Sequence, residues 1–187
     1  MTTELLVLKG IFDLLQNHTG GFFELYDLYL GQYADEEGNL LYDAPAALVE
    51  LSDTDWTQMG GGLQQGLLRF AIHIVDETGY DDVKMRLNTT HFDHVQAVYT
   101  ALNLKRVRIS DVSNLPNDSI LMNTIVRKNS RYVNDLRENV ATIVRFESII
   151  IDYSATDIWQ DLENVDLNVP FHLVHNLNEF KAIINGT

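Results

Sequence analysis

Gly60, Gly61 and Gly62 are the first residues to test for chemistry, because glycine runs let backbone N–H groups approach a phosphate. A phosphate-binding loop of the G-x-x-x-x-G-K-[ST] type needs a lysine for the phosphates and a hydroxyl for magnesium. Here Leu63, Gln64 and Gln65 follow, with no lysine nearby. A dinucleotide loop leads from a strand into a helix N-terminus. These glycines lead instead into "LLRFAIHIV", a strand-like run. They read as a hairpin loop.

The histidines are the second candidate. In "HFDH", His91 and His94 stand three apart on a helical stretch with Asp93 between them. That spacing can fill two corners of a metal site. Phe92, Val95 and Tyr99 claim the buried side of the helix, however, and no third ligand is indicated, so both histidines are expected at the surface. His172 and His175 repeat the spacing without periodic surroundings. "DETGYDD" (Asp76 to Asp82) lacks the calcium-loop alternation and its twelfth-position glutamate, and reads as a solvated loop at a strand end. No G-x-S-x-G is present, and no serine has a recognisable local partner. The expectation is a protein without catalytic, cofactor-binding or metal residues. Trp56 and Trp159 stand in polar surroundings, as interface anchors or as a small cluster closing one end of a core.

The chain that must position these groups has 187 residues, 45% hydrophobic and 21% charged, enough for one domain with a proper core. It has no cysteine, which excludes disulfides, thiol nucleophiles and cysteine-ligated metals. "MTTELLVLKGIFDLL" reads as a structural helix and not a signal peptide, and no apolar run approaches the ~20 residues of a membrane span. Net charge is −14, against tight wrapping of nucleic acid. Between Lys105 and Arg145, though, eight basic residues face four acids. Such asymmetry suits docking onto copies of the same chain or onto an oppositely charged partner.

Periodicity supplies the elements. Leu5, Leu8, Phe12 and Leu15 form one stripe of a helix over 4–16, closed by "HTGG". "FFELYDLYLGQY" and the proline-led "AALVEL" read as strands. In "LLRFAIHIV", Leu68, Phe70, Ile72 and Ile74 share one face and Arg69, Ala71 and His73 the other, the mark of a half-buried strand. A second helix over 91–104 carries Phe92, Val95, Tyr99 and Leu102 as its stripe, with Thr90 and Asp93 as a capping pair. After the turn-rich "SNLPNDS", the runs "LMNTIVRK" and "ATIVRFESIIIDY" read as strands. Val144, Phe146 and Ile150 face one way, and Arg145 and Glu147 the other. The order predicts an α+β fold: an antiparallel sheet of about four to five strands with helices on one face. Residues 1–154 form this core. Residues 155–187 are acidic, with scattered apolar anchors and no steady period, and read as a C-terminal arm.

The N-terminal helix, "LYLGQY", "APAALVEL", "W…GGGLQQGLLRFAIHIV", "HFDHVQAVYTALNL" and strands ending "VRFESIIIDY" together resemble small structural proteins of tailed bacteriophages. The type is the tail terminator or tail-completion protein, a head–tail connector or neck ring. The resemblance spans Glu4 to Ser154 and leaves out the arm. It implies a virion protein, assembled in the host cytoplasm, that forms a homo-oligomeric ring, sixfold or twelvefold by analogy, at the head–tail junction or tail end. Its partners would be copies of itself, portal, adaptor or tail proteins, and DNA passing through the channel without specific binding; no membrane and no cofactor are implied. The alternatives are a monomeric assembly adaptor or chaperone, and a small metal-dependent enzyme using His91 and His94. The candidate interface residues are Trp56, Gly60, Gly61, Gly62, Arg127, Lys128, Arg131, Arg137 and Trp159. "VRKNSRYVNDLREN" (Val126 to Asn139) is expected to project as a loop towards a partner. Deleting residues 160–187 should leave a folded core with impaired docking, read by circular dichroism and binding; an unfolded product would make the arm part of the domain.

Overall fold

In a computed structural model of the chain, the described residues are 2–31, 33, 40–60, 62–77, 89–113, 119–133 and 139–153. Two long strands form the spine: β4 (Leu63–Glu77) and β8 (Asn139–Asp152), preceded in the chain by the elements they organise. They pair antiparallel from Gln64↔Asp152 to Glu77↔Asn139 without a register break. The alternation read from the sequence is the alternation of this ladder. Leu68, Phe70, Ile72 and Ile74 share a face with Thr142, Val144, Phe146 and Ile150, and the Phe70 and Phe146 rings stack at 5.4 Å.

The outer edges of the spine each carry two strands end to end. Along β4 lie β2 (Ala46–Leu51), opposite Phe70 to Val75, and β3 (Asp55–Gly60), opposite Leu63 to Leu67. Along β8 lie β7 (Val126–Val133), opposite Ala141 to Glu147, and β6 (Ile120–Met122), which meets Ile150. β1 (Leu25–Leu28) adds to β2 in parallel, and β5 (Val107–Arg108) adds to β6. The fold is α+β, as expected, but among the described residues the sheet has eight strands and is mixed. Two features hid this from the sequence. The two- to four-residue strands β1, β5 and β6 are too short to show a period, and parallel pairing leaves no local signature.

Among the described residues three helices accompany the sheet: α1 (Thr3–His18), α2 (Thr89–Leu102) and the short α3 (Ile109–Ser113), which the sequence reading did not anticipate. The core joins α1, α2 and α3 to the Leu68–Ile74 face of the sheet. Thr2 accepts the Leu5 N–H as N-cap of α1, and Thr3 Oγ1 donates to Asp152 Oδ1 at 2.6 Å, tying the helix to the end of β8. The stripe of α1 is turned by one position from the predicted one. Leu6, Val7, Ile11 and Leu15 are buried, and Leu5 is exposed. The turn follows from Gly10, where a Cβ would lie 2.5 Å from Val107 Cγ1; the bare backbone lets β5 approach that side of the helix.

The glycine run is the connection of the β3–β4 hairpin. Gly60, at φ 105°, pairs with Leu63, and Gly62 takes φ 82°, left-handed conformations that glycine adopts without Cβ strain. Gly61 lies outside the described residues. Trp56 on β3 covers Gly66, where a Cβ would lie 2.9 Å from its ring.

Candidate functional site

The sequence placed His91 and His94 at the surface, and the structure buries them. His91 is 1% and His94 7% exposed, whereas Phe92 between them is 50% exposed. The inward face of α2 is His91, His94, Val98, Ala101 and Leu102, a helical spacing as regular as the Phe92 stripe. What reverses the choice is a partner outside the helix. Asp76, read from the sequence as part of a solvated loop, is a buried residue of β4. Its carboxylate accepts from both rings: Nδ1–H of His91 at Oδ2, and Nδ1–H of His94 at Oδ1 at 2.8 Å. On the other side, His91 Nε2 lies 2.7 Å from Thr142 Oγ1 of β8.

Aromatic rings close the cluster. Phe23 and Phe22 lie 5.3 and 5.7 Å from His94, and Tyr132 of β7 stands edge-on to His91 at 6.0 Å. A buried carboxylate is tolerable only when hydrogen-bonded, and here two imidazoles supply the donors. The arrangement pins the start of α2 across β4 and β8. Both Nδ1 atoms are spent on the carboxylate, and among the described residues no group of three or more His, Asp or Glu side chains could hold a metal ion. A signal for Asp76 was present: it continues the alternation of Leu68 to Ile74, which puts it on the helix-bearing face.

The opposite face carries a third buried histidine. His73 Nε2 lies 2.9 Å from Glu50 Oε2, its Nδ1 meets the Tyr33 hydroxyl, and Tyr29 stacks on the ring at 3.8 Å. Burial lowers the His73 pKa from its ordinary value, the Glu50 hydrogen bond and charge partly oppose this, and Arg145 adds to it. Burial also raises the Tyr33 pKa. Thus β4 is covered at His73 and Ala71 as well as on the helix face, and is not the half-buried strand expected.

The predicted interface residues fall in two places. Trp56, Gly60 and Gly62 belong to the β3–β4 hairpin. Arg127, Lys128 and Arg131 belong to β7, so the expected projecting loop is a strand over Val126–Val133; the pairing capacity of β8 overrides the polar sequence. Arg137, Trp159, His172, His175 and Gly61 lie outside the described residues, as does the 155–187 arm. Residues 126–132 of β7 are all exposed. Arg127 stacks over Tyr99 at 4.0 Å, and its N–H donates to Asn103 Oδ1 at 3.3 Å. Lys128 Nζ lies 3.0 Å from Glu147 Oε2, and Lys128 with Arg69 holds the Glu147 carboxyl below the usual carboxylate range. Arg131 has no ion pair with a described residue.

The acids lie across the sheet. The described residues within 10–68, which include β1, β2 and β3, contain seven Asp and Glu and no Lys or Arg. The strand order puts β1 at one end of the sheet and β5 at the other, with β3 on the β1 side of the spine and β7 on the β5 side. Charge is therefore divided across the sheet, acidic towards β1 and basic towards β7.

No protein-family model and no curated protein matches the chain. One solved structure, described as the virion of a native gene transfer agent particle, aligns over 77% of this chain and 93% of the matched one, at TM-score 0.44 and 10% identity. A likeness this distant fixes neither fold nor role. No helix among the described residues is long and apolar enough to cross a membrane.

Replacing Asp76 with Ala strands two buried ring donors and is expected to cost about 2–4 kcal/mol. Urea unfolding measures it; an unchanged midpoint would mean that the cluster does not form. For His73 the folded pKa lies below the unfolded value near 6.5, so the unfolded chain binds the extra proton as pH falls. Its stabilising contribution is present above about 6.5 and is lost as pH drops through the folded pKa. His73→Gln should flatten the acid limb of unfolding midpoint against pH below 6.5, and an unaltered slope would assign that limb to other groups.

Proposed function

We propose that this chain is a structural subunit of a tailed-phage-like virion. Copies join head to tail into a closed ring at the head–tail junction or tail end, contact neck or tail proteins on either side, and meet DNA only in passage. The observation that carries this reading is the division of charge across the sheet, with an acidic β1–β3 side and a basic, exposed β7 at the opposite edge. A ring requires two different patches on one subunit, each complementary to the other on its neighbour. An acidic flank and a basic edge strand on opposite sides of one rigid sheet meet that requirement. Opposite charges also steer the encounter and penalise like-sided contacts. The resemblance of residues 4–154 to tail-terminator proteins supplies the virion setting. An excess of acids suits a channel through which DNA slides, because like charge limits adhesion.

Light scattering over a concentration series, with negative-stain imaging of the same samples, tests the assembly. Rings or a concentration-dependent oligomer are expected, weakening as salt screens exposed charges. Replacing Arg127, Lys128 and Arg131 with Ala should weaken self-association about tenfold to a hundredfold, the effect of losing three exposed charges. Circular dichroism should show the fold retained. Undiminished assembly of the triple variant would remove β7 from the interface.

A further inference from the structure

The described sheet leaves two edges of opposite charge, and backbone direction decides whether they can pair. At one end, β1 pairs only with β2 among the described residues. Tyr29 donates its N–H to Val49 O. By alternation the backbone groups of Asp27 also face β2, and those of Tyr26 and Leu28 face outward. The outward N–H of Leu28 is held by the Asp27 carboxylate at 2.7 Å. On the other side of the spine, β7 pairs only with β8 among the described residues. Ile149 O accepts from Asn123 N–H on the β6 and β7 side of β8, so Ile143 and Arg145 turn their backbone groups the same way. They bond their partners Arg131 and Asn129, which leaves Ser130 and Tyr132 with backbone groups directed outward.

The two outward rows agree in face and direction. Tyr26 and Leu28 stand opposite Ala47 and Val49, on the helix-covered face. Ser130 and Tyr132 stand opposite Val144 and Thr142, on the same face. β1 runs parallel to β2, and each step from β2 through β4 and β8 to β7 is antiparallel. A second copy set alongside, with its strands in the same sense and its helices on the same side, therefore brings its β1 antiparallel to β7. One register suits the side chains. With Asp27 opposite Arg131, Leu25 meets Val133, Tyr26 meets Tyr132 and Leu28 meets Ser130. A shift of two residues sets Leu25 against Arg131 or Asp27 against Val133. Asp27 and Arg131 are both exposed on the helix-free face, and neither has an ion pair with a described residue. Opposite charges directly across a strand pair stabilise it.

We propose that β1 of one copy adds antiparallel to β7 of the next in this register, so that the sheet continues from subunit to subunit. This rests on the ring reading above and names the strands that join its members. Pairing passes the Leu28 N–H from its own Asp27 carboxylate to the Ser130 carbonyl of the next copy, and frees that carboxylate for Arg131. A second copy is the occupant because the complementary charges stand on opposite edges of one chain's sheet, whereas two β7 edges would set basic rows together. Closing the sheet on itself also removes both edges.

Charge reversal in the full-length chain tests the pairing. Asp27→Arg and Arg131→Asp, each alone, should weaken self-association at low salt about a hundredfold, because every junction then opposes like charges. Both positions are exposed, and circular dichroism should show the fold retained. Mixed in equal amounts, the two variants should associate again, since each junction between unlike chains pairs an acid with a base. Light scattering of the separate and mixed samples measures this. With the native chain associating, variants that associate as it does, or a mixture as weak as its components, would overturn the pairing and leave the ring reading intact. A native chain that stays monomeric would remove both. Because the chain has no cysteine, the register is read by oxidising differently tagged copies carrying Leu25→Cys and Val133→Cys. A disulfide-linked pair bearing both tags is expected, and assembled copies without that link would overturn the register.

Discussion

The uninterrupted pairing of β4 with β8 is the constraint on which the rest of the structure depends. Every other described strand attaches to an outer edge of this ladder, or to a strand already attached there. A one-residue slip would exchange the two faces of both strands. Phe70 and Phe146 would leave the core, and Asp76 and Thr142 would turn away from α2. The register is held because both faces penalise a slip. The helix face would lose its apolar packing, and the opposite face would lose the His73–Glu50 pairing beneath Tyr29.

Each histidine cluster sits where an element from elsewhere in the chain meets this ladder. Asp76 receives His91 and His94 from α2, with Thr142 completing the link to β8. His73 receives Tyr29 and Tyr33 from the segment after β1. Buried polar groups of this kind specify position, because a displaced partner leaves donors unsatisfied in a low-dielectric interior. Apolar packing alone would tolerate α2 sliding by a fraction of a turn. Two rings bound to two oxygens of one carboxylate do not.

The same ladder separates the charges. Acidic sequence feeds the strands on the β4 side, and basic sequence feeds those on the β8 side, so a division along the chain becomes a division in space. Basic side chains on an exposed edge strand also discourage indiscriminate pairing.

The sequence by itself determined the elements whose periods are long enough to read. The α+β class, the strand Ala46–Leu51, the alternating faces of β4 and β8, the two longer helices and the glycine hairpin all follow from local spacing. So does the charge asymmetry, which is a property of composition. It did not determine which face of α2 turns inward, because the histidine stripe and the phenylalanine stripe fit the helical period equally well. Only the approach of Asp76 from β4 favours the histidines, and that contact joins residues 15 and 18 positions apart. Nor could it show that Val126–Val133, polar throughout its middle, is a strand, because the pairing that makes it one comes from β8 and not from its own side chains. Local periodicity is written in the chain, whereas the partners that satisfy backbone and buried polar groups are supplied only by the tertiary fold.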